Sequence, residues 1–169
     1  MKNLLTLLTC LFILSPNVVV SETLNDLVKR DGLYYKKFSD FPFSGEVTGK
    51  DQGKIRKGKK EGTWVGSWVN GQLESNGNFN YGKKEGAWED YHSNGQLSSK
   101  GNYKNDKKEG VWVHYYNNGQ LWLKGTHKNS KAEGTFYSYY DNGQLETKGN
   151  NKNDKKEGDW VHYHNNGQL

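Results

Sequence analysis

The tetrapeptide NGQL occurs five times in this chain, starting at Asn70, Asn94, Asn118, Asn142 and Asn166, and each copy begins 24 residues after the one before. Recurrence at a fixed interval of this length marks a repeat array, in which neighbouring units bury one another's apolar faces. The aligned units are KKEGAWEDYHSNGQLSSKGNYKND (83–106), KKEGVWVHYYNNGQLWLKGTHKNS (107–130) and KAEGTFYSYYDNGQLETKGNNKND (131–154). An earlier copy occupies 59–82, and a last, partial one runs from Lys155 to Leu169.

Each unit holds two short apolar-rich runs, such as VWVHYY from Val111 to Tyr116 and QLWLKGTHK from Gln120 to Lys128. Their β-branched and aromatic content favours strands. The Asn-Gly dipeptide between them suits a type I′ hairpin turn, which needs positive φ at both central residues. Asn70 and Gly71, Asn94 and Gly95, Asn118 and Gly119, Asn142 and Gly143, and Asn166 and Gly167 are therefore expected at five hairpin tips. The KND and KKEG letters are expected to make the return turns. After the first 21 residues no window keeps helical spacing of apolar residues. The expected fold class is all-β: an antiparallel meander of repeated hairpins forming an elongated, twisted sheet.

The core of such a sheet must be thin and aromatic. The chain has 11 Tyr, 6 Trp and 6 Phe against 1 Met. Trp64, Trp88, Trp112, Phe136 and Trp160 share one register position, and Tyr91, Tyr115, Tyr139 and Tyr163 another, three residues later. A spacing of three puts the two rows on opposite faces of a regular strand, unless a bulge turns them to one face. Leu73, Leu97, Leu121 and Leu145 recur beside these rings and are expected to complete the core. Gly77, Gly101, Gly125 and Gly149 recur in the second run, with Gly53 in register. A strand glycine often marks a close approach, here room for a neighbouring ring. Residues 22–58 read as a degenerate hairpin capping the array, and the partial last unit leaves an open strand edge fit for self-association or a partner strand.

Residues 1–21 differ from the rest: Lys2, an apolar stretch from Leu4 to Leu14, Pro16, then Val19-Val20-Ser21. This is the order of a secretory signal peptide cleaved after Ser21, which places the mature chain in the periplasm or outside the cell. The single cysteine, Cys10, lies in that stretch, so a mature chain has no disulfide, thiolate metal site or cysteine nucleophile. The formal charge of +5 falls by one on removal of Lys2.

Candidate chemistry is sparse. His162 and His164, two apart, share a strand face as half a metal site would. However, their register positions also hold Gly66, Asp90, His114 and Ser138, and Trp68, His92, Tyr116 and Tyr140, which describes tolerant sites, and no metal or other cofactor is expected. Glu61, Glu85, Glu109, Glu133 and Glu157 recur in every unit, and a catalytic carboxylate pair needs one place where two environments differ. The reading is non-enzymatic. Three binding classes remain: a protein-interaction scaffold, a cell-wall glycan binder with an aromatic ladder, and an anionic lipid binder, which would need Lys clustered without Asp and Glu. Nucleic acid is disfavoured by the acids beside the lysines. The candidate binding surface is Trp88, Tyr115, Tyr116, Trp122 and Tyr140.

Gly110, Trp112, Tyr115, Asn118, Gly119, Leu121 and Gly125 follow G-x-W-x-x-Y-x-x-N-G-x-L with a later Gly, and so the unit resembles the bacterial variant of the MORN-type repeat. Phe136 stands where the Trp is expected, and Ser67, followed by Trp68, where the Tyr is. The segment LYYKKFSDFPFSGEVTG, Leu33 to Gly49, is similar to the one that precedes such repeats in the YwqK-family antitoxins. That resemblance implies binding and neutralising a partner protein.

Overall fold

The computed structural model describes residues 21–169; the signal-peptide reading lies outside these residues. Fourteen strands follow one another: β1 (Glu22–Thr23), β2 (Leu27–Arg30), β3 (Leu33–Lys36), β4 (Gly45–Thr48), β5 (Asp51–Arg56), β6 (Lys59–Ser67), β7 (Leu73–Asn80), β8 (Lys83–Tyr91), β9 (Leu97–Lys104), β10 (Lys107–Tyr115), β11 (Leu121–Lys128), β12 (Lys131–Tyr139), β13 (Leu145–Lys152) and β14 (Lys155–His162). Twelve of them form one open sheet in the order β1-β4-β5-β6-β7-β8-β9-β10-β11-β12-β13-β14. At about 4.8 Å between strands this sheet is roughly 50 Å wide. Every pairing is antiparallel except β1 with β4. The all-β meander read from the repeat is the fold.

Residues 22–58 hold two hairpins rather than one. β2 and β3 pair as a separate two-stranded sheet, while β4 and β5 open the main one. Leu27, Phe43, Val47, Ile55 and Trp64 make a small packed core between them, with Leu24, Tyr34 and Phe79 against it. The edge beyond β4 carries only the two-residue β1, a length too short to template further pairing.

From β6 onward the chain is a single layer, yet Trp64, Trp88, Trp112 and Phe136 are buried, Trp112 to 1 % exposure. The expected glycine niche explains this. A Cβ on Gly101 would stand 2.3 Å from the Trp112 ring, and one on Gly77, Gly125 or Gly149 would be as close to Trp88, Phe136 or Trp160. Each ring thus lies flat on bare backbone. The second glycine of the unit makes this possible. Between the pairs Glu109↔Asn102 and Val113↔Lys100, three residues of β10 face Gly101 alone, and Gly110 takes φ +73° to form that bulge. The KKEG glycine is therefore inside the strand, not in the return turn as the sequence reading had it. Each indole nitrogen donates back to the strand, Trp112 Nε1 to the Asn102 carbonyl at 3.1 Å. A lysine covers the outer surface, Lys108 Nζ standing 4.2 Å from the Trp112 ring and Lys84 Nζ 3.9 Å from Trp88.

The turns are the reverse of the expectation. The tight type I′ turns are the return turns: Asn105 and Asp106 (φ +51° and +66°), Asn129 and Ser130, and Asn153 and Asp154 all have positive φ. At the NGQL tips only the glycine does, Gly119 at +83°. Gly119 N–H donates to Tyr116 O and Tyr116 N–H to Gln120 O, both at 2.9 Å. This is a three-residue loop, a type I turn closed by a left-handed glycine.

Candidate functional site

The recurring polar residues spend themselves on holding one unit to the next. In the tips, Asn118 accepts from Gln120 N–H through Oδ1 and donates through Nδ2 to the Asp141 carbonyl of the next tip, at 2.9 Å each. Asn70, Asn94 and Asn142 make the same reach. At the other end, the Glu61, Glu85, Glu109 and Glu133 carboxylates each accept a backbone N–H from the following return turn, Asn105 N–H to Glu85 at 2.8 Å. A carboxylate fixed this way in four successive units is a structural fastener, as its recurrence implied.

The flat-ring position is a second fastener. Tyr116 and Tyr140 donate their phenols to the carbonyls of Tyr139 and Tyr163, and Trp68 its indole N–H to Tyr91 O, at 2.8–3.0 Å. His92 Nε2 meets Tyr115 O at 2.9 Å, so its Nε2 carries the proton. Trp, His and Tyr interchange here because each offers one ring donor at that reach.

The five candidate binding residues do not converge. Trp88 is 5 % exposed and belongs to the core; it offers no platform to a ligand. Tyr115 follows His114, which stacks on Trp112, so along regular β10 it points to the opposite face. Tyr91 confirms the assignment, since its hydroxyl donates to Glu89 on that second face. Both faces thus carry aromatic rows, and the half-buried Leu73, Leu97, Leu121 and Leu145 lie outside the buried core. What the sequence reading missed is the partner row on the second strands. Phe79, Tyr103 and His127 wedge edge-on between the indoles and Phe136: Phe79 to Trp88 at 5.3 Å, Tyr103 to Trp112 at 4.9 Å, His127 to Phe136 at 5.4 Å. The signal was present as a ring recurring at one register position, broken by Asn151.

Two surfaces stand apart from the repeating pattern. On the first face, Trp122 is 45 % exposed and forms a cluster with His114 and Tyr116, each ring 6.0 Å away. Residues at this register elsewhere are Glu74, Ser98 and Glu146, so the platform belongs to one unit. Burial, with Lys108 nearby, lowers the His114 and His127 imidazole pKa values below the ordinary 6.5, and Asp90 and Asp154 oppose the shift. His127 Nδ1 is, among the described residues, the buried side-chain polar atom without a partner. On the second face, Ala87, Val111 and Val113 line a shallow groove of about 280 Å³ flanked by Glu89 and Lys100, with Val111 half exposed. Among the described residues no three His, Asp or Glu side chains gather as metal ligands, and no helix is long and apolar enough to cross a membrane.

An open, single-layer sheet of hairpin units, fastened at both ends by repeated side-chain ladders, defines a β-repeat protein. The chain is a MORN-type repeat protein: the family model described as MORN repeat variant matches residues 84–105, 108–129, 132–153 and 156–169. A search of curated proteins finds no match. The copy at 59–82 lies outside the matched spans but shares the ring-on-glycine packing, Trp64 over Gly53.

Proposed function

We propose that this is a non-enzymatic, exported scaffold that binds another protein across the second face of its sheet, with the antitoxin-like neutralising role implied by the family resemblance as one form of that binding. The observation that carries this reading is the Ala87, Val111 and Val113 groove, an apolar strip in the middle of a wide, uncovered sheet. The recurring polar groups are already committed to the ladders, which leaves shape and apolar contact as the currency of recognition. The groove's flanking Glu89 and Lys100 supply a polar rim of the kind protein interfaces have. Affinity capture from the native host, with cell-wall and lipid fractions as competing baits, tests it. One retained protein, lost with Val111→Asp, is expected; retention by the competing fractions alone contradicts the reading. N-terminal sequencing of the native protein tests export: a chain starting near Glu22 is expected, and an intact Met1 on a cytosolic protein refutes it.

A second reading, a cell-wall glycan binder, is favoured by the exposed Trp122 beside His114 and Tyr116, since an indole face with polar rings at its edge stacks on a sugar. Trp122→Ala separates the two readings: it abolishes glycan retention and leaves protein capture intact. The lipid reading is weaker, because along the array Lys84, Lys108 and Lys156 hold their ammonium groups over indoles instead of projecting them toward headgroups.

A further inference from the structure

Between the β2–β3 hairpin and the start of the array lies a cavity of about 240 Å³ that the repeat pattern does not account for. Lys29 comes from β2, Tyr34 from β3, Lys59 and Lys60 from β6, and Phe79 from β7; no carboxylate lines it. Elsewhere in the array a single lysine caps each indole. Here Lys60 does so, its Nζ 3.8 Å from the Trp64 ring and 5.2 Å from Phe79, and a second cation from the capping hairpin, Lys29, stands 5.5 Å from the ring of its cross-strand partner Tyr34. None of the three lysines takes part in an ion pair among the described residues.

We propose that this cavity binds the phosphate group of a small soluble phosphomonoester, with the ester's apolar part against Phe79. Two ammonium groups, Lys60 and Lys29, border one concave site that no carboxylate lines, while Lys59 contributes its stem beside Gly82; such a site suits a compact anion, and lysine serves as a point-charge ligand for phosphate. The size sets the class. Sites for drug-sized ligands begin near 300 Å³, so this cavity takes a phosphate and about one small ring. The Tyr34 phenol adds a neutral donor. Its pKa is raised by burial and by Asp51, which keeps the proton on at physiological pH. The Lys60 amine is pushed the other way, down by burial and by Lys29 and Lys84, with Asp51 opposing, so an anion in the cavity would relieve a charge that the fold leaves costly. The inference is independent of the scaffold reading, since it uses the first face and the capping hairpin.

Calorimetric titration of the full chain with phenyl phosphate, in low-salt buffer free of other phosphate, tests it. One saturable site is expected. Lys29→Gln, at an exposed position, weakens it about tenfold by removing one charge-assisted contact, and Tyr34→Phe weakens it less. Lys107→Gln, at the remote start of β10, leaves it unchanged. Absence of saturable binding overturns the proposal, as does equal weakening by Lys29→Gln and Lys107→Gln, which would mean diffuse attraction. Phenol binding as tightly as phenyl phosphate also overturns it. Retention on phosphatidic acid vesicles that depends on Lys29, without phenyl phosphate binding, would assign the oxyanion to a lipid headgroup and overturn the soluble ester.

Discussion

Replacing Gly101 by alanine adds one methyl group at the centre of the array, and the structure says what that methyl meets. Its Cβ would stand 2.3 Å from Cδ2 and Cε2 of Trp112 and 2.6 Å from Cγ. Carbon atoms pack at about 3.5–4.0 Å, so the indole must rise from the sheet by more than an ångström. It cannot slide aside cheaply: Tyr103 abuts it edge-on at 4.9 Å, His114 stacks on it, and Lys108 covers it. Overpacking of this kind costs about 1–3 kcal/mol. Lifting the ring also strains the Trp112 Nε1 bond to Asn102 O, about 1 kcal/mol, and the Tyr103 contact, about 0.5–1.5 kcal/mol. Gly101 does not have positive φ, so alanine returns about 0.4–1 kcal/mol by restricting the unfolded chain. The net loss is about 1.5–5 kcal/mol, read by urea denaturation with Trp fluorescence. Gly110→Ala is the control. Nothing lies within 4 Å of its Cβ, and its φ of +73° alone makes the change costly, by about 1–2 kcal/mol. If Gly101→Ala melts with the wild type, or costs no more than Gly110→Ala, the ring-on-glycine packing is not what holds the sheet together.

Gly119→Val forces a β-branched residue to φ +83° and should cost about 1–3 kcal/mol in a thermal melt; an unchanged melt removes the left-handed glycine from the tip. Glu109→Ala should speed hydrogen exchange at the Asn129 amide, which donates to that carboxylate at 3.0 Å, without moving exchange in distant units. The lowered His114 and His127 pKa values mean that the unfolded chain binds protons first as pH falls. Stability is then complete above the unfolded value of about 6.5 and is lost as pH drops from there toward the lowered folded values. Melts from pH 8 to 5 should fall for the wild type and flatten in the His114→Gln, His127→Gln double variant; parallel curves would refute this.

The fixed interval made the meander and its two kinds of turn legible, because periodicity survives without knowledge of contacts. Turn type was not legible from the Asn-Gly pair. The dipeptide serves a two-residue turn with both residues left-handed or a three-residue loop with only the glycine so, and the pairing of Tyr115 with Leu121 across one bulged residue decides for the latter. The return turns use Asn-Asp and Asn-Ser, whose short polar side chains tolerate left-handed φ. Trp88 read as a binding residue because no second layer could be foreseen to bury it; glycine below and a lysine stem above do so within one sheet. Among the other candidate residues, the roles of Tyr116 and Tyr140 as fasteners depend on a reach between units that no single copy reveals.

The central claim is that recognition uses the second face of the sheet around Val111 and Val113. Hydroxyl-radical footprinting of the chain with its captured partner, read by mass spectrometry residue by residue, addresses it directly. The account predicts that Val111 and Val113 are protected on binding while Trp122 and Tyr116 react as in the free protein. Protection of Trp122, Tyr116 and His114 with Val111 unchanged would contradict it and move the binding surface to the first face.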